Sequence, residues 1–276
     1  MSHFLLLGFV FSPMEITDQL DRKISFTKPF LRIVSLVPSQ TELLIDLKLA
    51  EEVLGVTKFC IHPSYLRSKK TVVGGTKSVN FDKISALNPD IILCNKEENT
   101  KEIVAHCEKI ATVHITDIKT LDDVYLMVEQ YGKLFDREVE AGVLIRKLQY
   151  KAENFKNNFN IKPPKKVAYL IWKEPWMVAG GNTFINTLLR VNGFINCFEK
   201  HDSRYPEIDL GELQDVDLIL LSSEPFPFKQ KHLSEIKKFT SAQVSFVDGE
   251  YFSWYGSRLL GAFDYFMQLH ASYSDV

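Results

Sequence analysis

Residues able to do chemistry gather in a few short stretches of this sequence. In "KFCIHP" (58–63), Cys60 and His62 stand two apart, and thiolate and imidazole are both adequate ligands for a soft metal. Two such ligands without a nearby third more often mean a buried thiol and a hydrogen-bonded imidazole. No metal site is therefore expected, and the pair is read as contacts to a larger ligand. In "IWKEPWMVAGG" (171–181), Trp172 and Trp176 flank a Lys-Glu-Pro turn directly after the apolar run "VAYLI". Large rings at the end of a buried strand serve either as lid packing or as a surface for a ligand. Signatures of catalysis are missing. "GGTKS" (74–78) lacks the spacing of a phosphate loop, "AGGNTF" is not a dinucleotide fingerprint, and neither a nucleophile elbow nor an H-E-x-x-H helix occurs. A non-enzyme is expected.

The elements that must position these residues follow from hydrophobic patterning. From Ile33, short apolar runs alternate with helical stretches: "RIVSL" then "TELLIDLKL", "VLGVT", "TVVGG" then "FDKISALN", "DIILCN" then "TKEIVAHCEKI", and "TVHIT". Unbroken apolar strands alternating with helices predict a parallel sheet covered on both faces. The pattern restarts after residue 160 with "KVAYLIW", "NTFINTLLRVNG", "VDLILLSSEP", "HLSEIKKF" and "QVSFVDGE", and closes in a helix through "SRLLGAFDYFMQLH". The fold class is α/β, with two Rossmann-like lobes. Between them, apolar residues recur from Val124 to Phe155 at helical spacing. Some 35 helical residues would span on the order of 50 Å, a stiff backbone helix joining the lobes, with a bend where Asp136 caps a second segment. The expected organisation is an N-terminal extension (1–31), a first lobe (32–120), a linking helix (121–160) and a second lobe (161–276).

In open parallel sheets, ligands bind beyond the carboxyl ends of the strands. There "VLGVT" delivers Phe59, Cys60 and His62, "VAYLI" delivers Trp172, Lys173 and Trp176, and "LILLSS" delivers "EPFPF". The last strand, "SFVDGE", delivers Tyr251, Phe252, Trp254 and Tyr255. Any one of these rings taken singly is better read as packing. Rings from several loops at one edge predict an aromatic cleft for a bulky ligand, with Lys173, Arg204, Tyr205 and Arg258 bonding its polar rim.

The totals exclude some partners. With 33 basic against 35 acidic residues, the chain carries no electrostatic footprint for nucleic acid. The four cysteines form no C-x-x-C pair and define neither a zinc ribbon nor a disulfide scaffold. Apolar residues run from Phe4 to Phe11 without a preceding Lys or Arg and without a small-x-small site after them, a poor signal peptide. No apolar run approaches the roughly 18 residues of a spanning helix, so a soluble chain is expected.

Together "RIVSLVPSQTELLIDLKLAEEVLGVT", "VNFDKISALNPDIILCN", "TVHIT" and "EYFSWYGSRLLGA" resemble the helical-backbone class (class III) of ABC-importer substrate-binding proteins. Within that class the vitamin B12-binding and ferric-siderophore receptors are most similar. The resemblance runs from about Ile33 to the C-terminus. It implies two lobes bridged by a long helix, with a metal chelate (cobalamin or another corrinoid, a ferric siderophore, or heme) held in a shallow cleft between them. By position, Phe59 resembles the ring such receptors place against cobalamin, and "EYF" (250–252) resembles their Asp-Trp-Phe element. The chain departs at Thr76, where the family has another cleft tryptophan. The resemblance further implies one glutamate per lobe presented to arginines of an inner-membrane permease, Glu98 or Glu102 in the first and Glu207 or Glu212 in the second. The implied protein is a monomeric receptor without a cofactor of its own, periplasmic or otherwise extracytoplasmic. The alternatives are a two-lobed enzyme, such as a glycosyltransferase or a chelatase-like protein, and a cytoplasmic carrier of a corrinoid or metal chelate, which the poor signal peptide would suit.

Overall fold

The computed structural model describes residues 13–158 and 164–274. The apolar run Phe4–Phe11 and positions 159–160 of the linking segment lie outside the described residues. The chain divides into two compact units, Met1–Asp117 with Gln130–Glu138, and Ile118–Glu129 with Val139–Val276.

The first unit opens with an antiparallel hairpin of β1 (Met14–Thr17) and β2 (Lys23–Phe26). Five parallel strands come next, β3 (Ile33–Ser35), β4 (Val53–Val56), β5 (Thr71–Val72), β6 (Ile91–Asn95) and β7 (Thr112–Thr116), in the order β5-β4-β3-β6-β7. Connecting them are α1 (Pro38–Asp46), α2 (Leu66–Lys69), α3 (Phe81–Ala86) and α4 (Lys101–Cys107). β6 is buried along its whole length, as an unbroken apolar run requires when both faces are covered. Val34, Ile92 and Cys94 of the strands, with Leu36 just past β3, meet Ile84 and Ile103 of the helices in the core. Asn80 and Thr100 start α3 and α4 by accepting the amides of Lys83 and Ile103.

The hairpin belongs to this unit through its turn. The buried Asp18 carboxylate accepts the backbone N–H groups of Leu20, Arg22 and Ile115, and Arg22 donates to the carbonyl of Val113 at 2.6 Å. β7 is an edge strand, and these side chains occupy backbone groups its open side would expose. Residues 14–26 of the segment read as an extension thus close the sheet.

The linking segment is two helices, α5 (Leu121–Phe135) and α6 (Glu138–Asn158), not one. Asp136 ends α5 and does not cap α6. It adopts φ 56°, and Arg137 N–H donates to the Gly132 carbonyl at 2.8 Å, the six-to-one bond that closes a helix through a left-handed residue. The division of the chain falls within α5. Gln130 bonds His114 at 2.8 Å and the Thr17 carbonyl at 2.7 Å, and the Tyr131 hydroxyl donates to Gln40 at 2.7 Å, all in the first unit. The Lys119 carbonyl, just before α5, accepts from Thr187 of the second.

The second unit holds β8 (Lys166–Trp172), β9 (Met177–Val178), α7 (Phe184–Val191), β10 (Ile195–Asn196) and β11 (Leu218–Ser222). It continues with α8 (Gln230–Ile236), β12 (Gln243–Val247), α9 (Glu250–Ser253) and α10 (Leu259–Ser274). Its sheet runs β10-β8-β11-β12, all parallel, with β9 folded back antiparallel on β8. Phe155 of α6 packs against Phe263 and Phe266 of α10, and Ile219 and Leu221 pack with Leu213 and Ile236 on the sheet. Among the described residues no helix is long and apolar enough to cross a membrane.

Two measurements check these packing assignments. A non-glycine residue in the left-handed region costs roughly 1 to 2 kcal/mol, most for a β-branched one, so Asp136→Ile is expected to unfold at lower urea than Asp136→Gly by about that difference. His270 is buried on α10 with its Nε2 2.9 Å from Asn192 Oδ1, and burial, with Lys165 nearby, pulls its pKa down to about 4. The unfolded chain then binds the extra proton first. Stability is present above about pH 6.5 and falls on acidification toward pH 4, by about 3 kcal/mol, and His270→Gln should flatten this part of the urea-midpoint profile.

Candidate functional site

Each sheet reverses its strand order once, between β3 and β6 in the first unit and between β8 and β11 in the second. At such a point the flanking loops turn to opposite faces and leave a crevice at the carboxyl ends of the strands.

In the second unit this crevice is lined with rings. Trp172 is the last residue of β8, and the chain turns through Lys173–Pro175 so that Met177 of β9 returns opposite it. Glu174 takes the turn at φ 70°. The loop after β11 brings Phe226 edge-on to Trp172 with centroids 5.6 Å apart, and Phe228 parallel to Trp176 at 6.0 Å and 7°. Phe226 also meets Phe228 at 4.8 Å, and the buried His232 closes on both rings. Phe228 is rooted in the core, Trp176 and Phe226 are half-buried, and Trp172 is 39% exposed. The result is an aromatic shelf anchored from below. Phe226 and Phe228 lie in "EPFPF", which the sequence marks only as the loop after a buried strand. Two aromatics spaced by proline at that position were the available signal, the same one that singled out "WKEPW".

Lys173 is held in place. Its Nζ lies 2.5 Å from Glu235 Oε2 and 5.0 Å from the Trp176 ring centroid, so it braces the shelf instead of reaching for a ligand. The loop after β12 also departs from expectation. Phe252 is fully buried between Tyr169 and Phe266, at 5.1 and 4.9 Å, and packs the core. Trp254 and Tyr255 are buried as well. The indole N–H of Trp254 donates to Glu224 Oε1 at 2.9 Å, and Tyr255 stands edge-on to Phe184. Arg258 lies 4.9 Å over the Trp254 ring and pairs with Glu250 at 2.8 Å. Tyr251 is half-buried and stacks on Tyr265 at 4.8 Å. These residues were expected to face a ligand because a strand's closing loop usually reaches the sheet edge. Here the loop dives back as α9, and its apolar side chains fill the space beneath α10. Arg204 and Tyr205 are half-buried in the segment whose carbonyls at Ser203 and Arg204 crowd Gly180.

In the first unit, Phe59 follows β4 and stands 48% exposed, with Lys58 Nζ 5.0 Å from its ring centroid. Gly75 makes room for it, since a Cβ there would sit 3.2 Å from Phe59 Cε2. Cys60 points the other way. It is wholly buried, its sulfur lies 3.2 Å from Thr41 Oγ1 and 3.3 Å from Thr57 Oγ1, and burial pushes its thiol pKa up. A protonated thiol in the core contacts no ligand. His62 is half-buried in the following turn, and no group of three or more His, Cys, Asp or Glu able to hold a metal occurs among the described residues. Thr76 offers its carbonyl to Asn99 Nδ2 at 2.9 Å, which ties the β5–α3 loop to the loop after β6.

The four glutamates differ. Glu102 is exposed in the first turn of α4, and hydrogen bonds from its own backbone N–H and the Thr100 hydroxyl hold its carboxyl low. Glu212 is exposed but accepts the Asp209 amide at 2.8 Å and caps the 3-10 turn Leu210–Leu213. Glu98 is half-buried, and Glu207 is exposed beside its bridge to Met177.

With both units described, the sequence family described as periplasmic binding protein matches residues 33–245. The chain belongs to this family. Its fold is the class III binding-protein fold, mixed α/β with parallel sheets. A Bacillus subtilis ABC transporter substrate-binding lipoprotein, YvrC, is 25% identical over 65% of the chain, a match that spans 59% of that protein's own length. The vitamin B12-binding protein of Vibrio vulnificus is 22% identical over 67% of the chain and 68% of its own. The periplasmic heme-binding protein HutB of Vibrio cholerae superposes with a TM-score of 0.73 at 19% identity, over 87% of this chain and 98% of that one.

The difference between core ring and shelf ring is measurable. Trp254→Phe removes a donor from the half-buried Glu224 carboxylate and is expected to cost about 1 to 3 kcal/mol in urea unfolding. Trp172→Ala, at the open end of the shelf, should cost under about 1 kcal/mol by the same assay.

Proposed function

We propose that this protein is the substrate-binding component of an ABC importer, a receptor that captures a metal chelate with a flat, bulky ring system: a corrinoid, heme or a ferric siderophore. The observation that carries the reading is the aromatic shelf of Trp172, Phe226, Trp176 and Phe228 at the strand-order reversal of the second unit. Family membership supports it, as do the named binding preferences of the relatives, vitamin B12 for one and heme for another. The exposed Phe59 supplies a ring at the corresponding edge of the first unit. In this reading the receptor is monomeric, works outside the cytoplasm and presents a glutamate from each unit to a membrane permease. In the first unit the choice stays between Glu98 and Glu102, and in the second Glu207 is the better one, because Glu212 serves its own helical turn.

Stacking on an aromatic ring adds about 0.5 to 1.5 kcal/mol beyond area burial, so several rings together support micromolar to nanomolar affinity. Titration of the purified chain with cyanocobalamin, hemin and a ferric hydroxamate should quench tryptophan fluorescence with at least one of them. Trp172→Ala should then weaken that complex about tenfold. Absence of quenching and of any thermal shift across the three ligands would sink the reading.

A further inference from the structure

The loop that carries Phe226 and Phe228 also carries a carboxylate. Glu224 follows β11 and precedes Phe226 by two residues. Its Oε1 accepts from the Trp254 indole N–H at 2.9 Å and the Ser253 hydroxyl at 2.7 Å. Both donors are neutral. The nearby cations are engaged elsewhere, Lys173 with Glu235 and Arg258 with Glu250. Charged groups that act on Glu224 are the carboxylates of Glu250 and Asp248, which add to burial in raising its pKa. The next loop is pressed against it, for a Cβ on Gly249 would sit 2.7 Å from Glu224 Cγ. The side chain is thus fixed, half-buried and held by neutral groups.

We propose that Glu224 sets the charge preference of the shelf, favouring chelates rimmed by neutral hydrogen-bond donors and disfavouring chelates that carry carboxylates. Two residues of chain reach at most about 7 Å, less than the width of a tetrapyrrole-sized ring, so Glu224 stands within the span that a ligand lying on Phe226 would cover. A rim amide or hydroxyl donates to the carboxylate, a charge-assisted bond. A rim carboxylate meets like charge in a partly desolvated place, where Lys173 and Arg258 are already paired with other carboxylates. Among the ligand classes named above, this separates amide-rimmed corrinoids from heme with its two propionates. The inference rests on the receptor reading but is separable from it.

The test compares cyanocobalamin, hemin and hemin with both propionates converted to amides, by tryptophan quenching of the full chain and of Glu224→Gln. Glutamine keeps an acceptor for Trp254 and Ser253 and removes the charge. The wild type should bind the diamide about tenfold or more tighter than hemin, and Glu224→Gln should narrow that ratio by tightening hemin. Equal binding of hemin and its diamide by the wild type overturns the inference and leaves the receptor reading standing. So does a Glu224→Gln protein that weakens every ligand alike, the mark of a merely structural role. A wild type that binds none of the three overturns both. The diamide comparison needs no variant, so even if Glu224→Gln fails to fold, equal binding of hemin and its diamide by the wild type still overturns the inference, and Glu224→Asp, which keeps the charge, should preserve the preference.

Discussion

Covering both faces of a parallel sheet is the constraint on which the rest of this molecule depends. A strand such as β6, buried along its length, can end only where its loop finds cover or water. Helices placed on both faces force the strand order to reverse, and at the reversal no helix lies over the strand ends. Something else must line that gap. In the second unit it is the rings of the β8–β9 turn and the loop after β11. In the first it is a mesh of short polar side chains: Asn95 and Gln40 both donate to Thr116 Oγ1, at 3.0 and 2.7 Å, and Tyr131 donates to Gln40. The two units solve one topological problem with different chemistry.

Rings in the second unit sort by what lies behind them. Phe252 and Tyr255 have α10 and α7 behind them, Trp254 has Glu224 and Arg258, and all three are absorbed into the core, where burying a large ring contributes most. Trp172 has Phe226 at its edge and is otherwise the most open of the shelf rings. The same sorting applies to charge. Lys173 and Arg258 lie over indole rings and pair with carboxylates, an arrangement that stiffens the shelf and its flank. Glu224 is left as the charge that is held by neutral donors.

The long helical segment shows how local chemistry overrides periodicity. Apolar spacing continues smoothly across residues 121–158, yet one left-handed residue at Asp136 ends the first helix, and the second begins only at Glu138. The spacing reports which faces are buried. It does not report the sign of φ at a single position, and Asp tolerates the left-handed region well enough for no glycine to mark the break.

Much of the architecture was legible in the sequence because it depends on local quantities. Strand runs such as "IILCN" and "VAYLI", and their alternation with amphipathic stretches, are set by side-chain hydrophobicity along a few residues, and that alone determined two parallel α/β sheets. Trp172 was legible as a ring at a strand's carboxyl end for the same reason. What only the tertiary structure decided was which side chains those ends expose. Cys60 turns inward to Thr41 and Thr57, Phe252 to Tyr169, Trp254 to Glu224, and Phe226 outward to Trp172. Residues 14–26, too, cover the open edge of the first sheet only because Asp18 and Arg22 meet an edge strand roughly a hundred positions away. In each case the partner is distant in sequence, and burial or exposure depends on that partner's position, which no local pattern encodes.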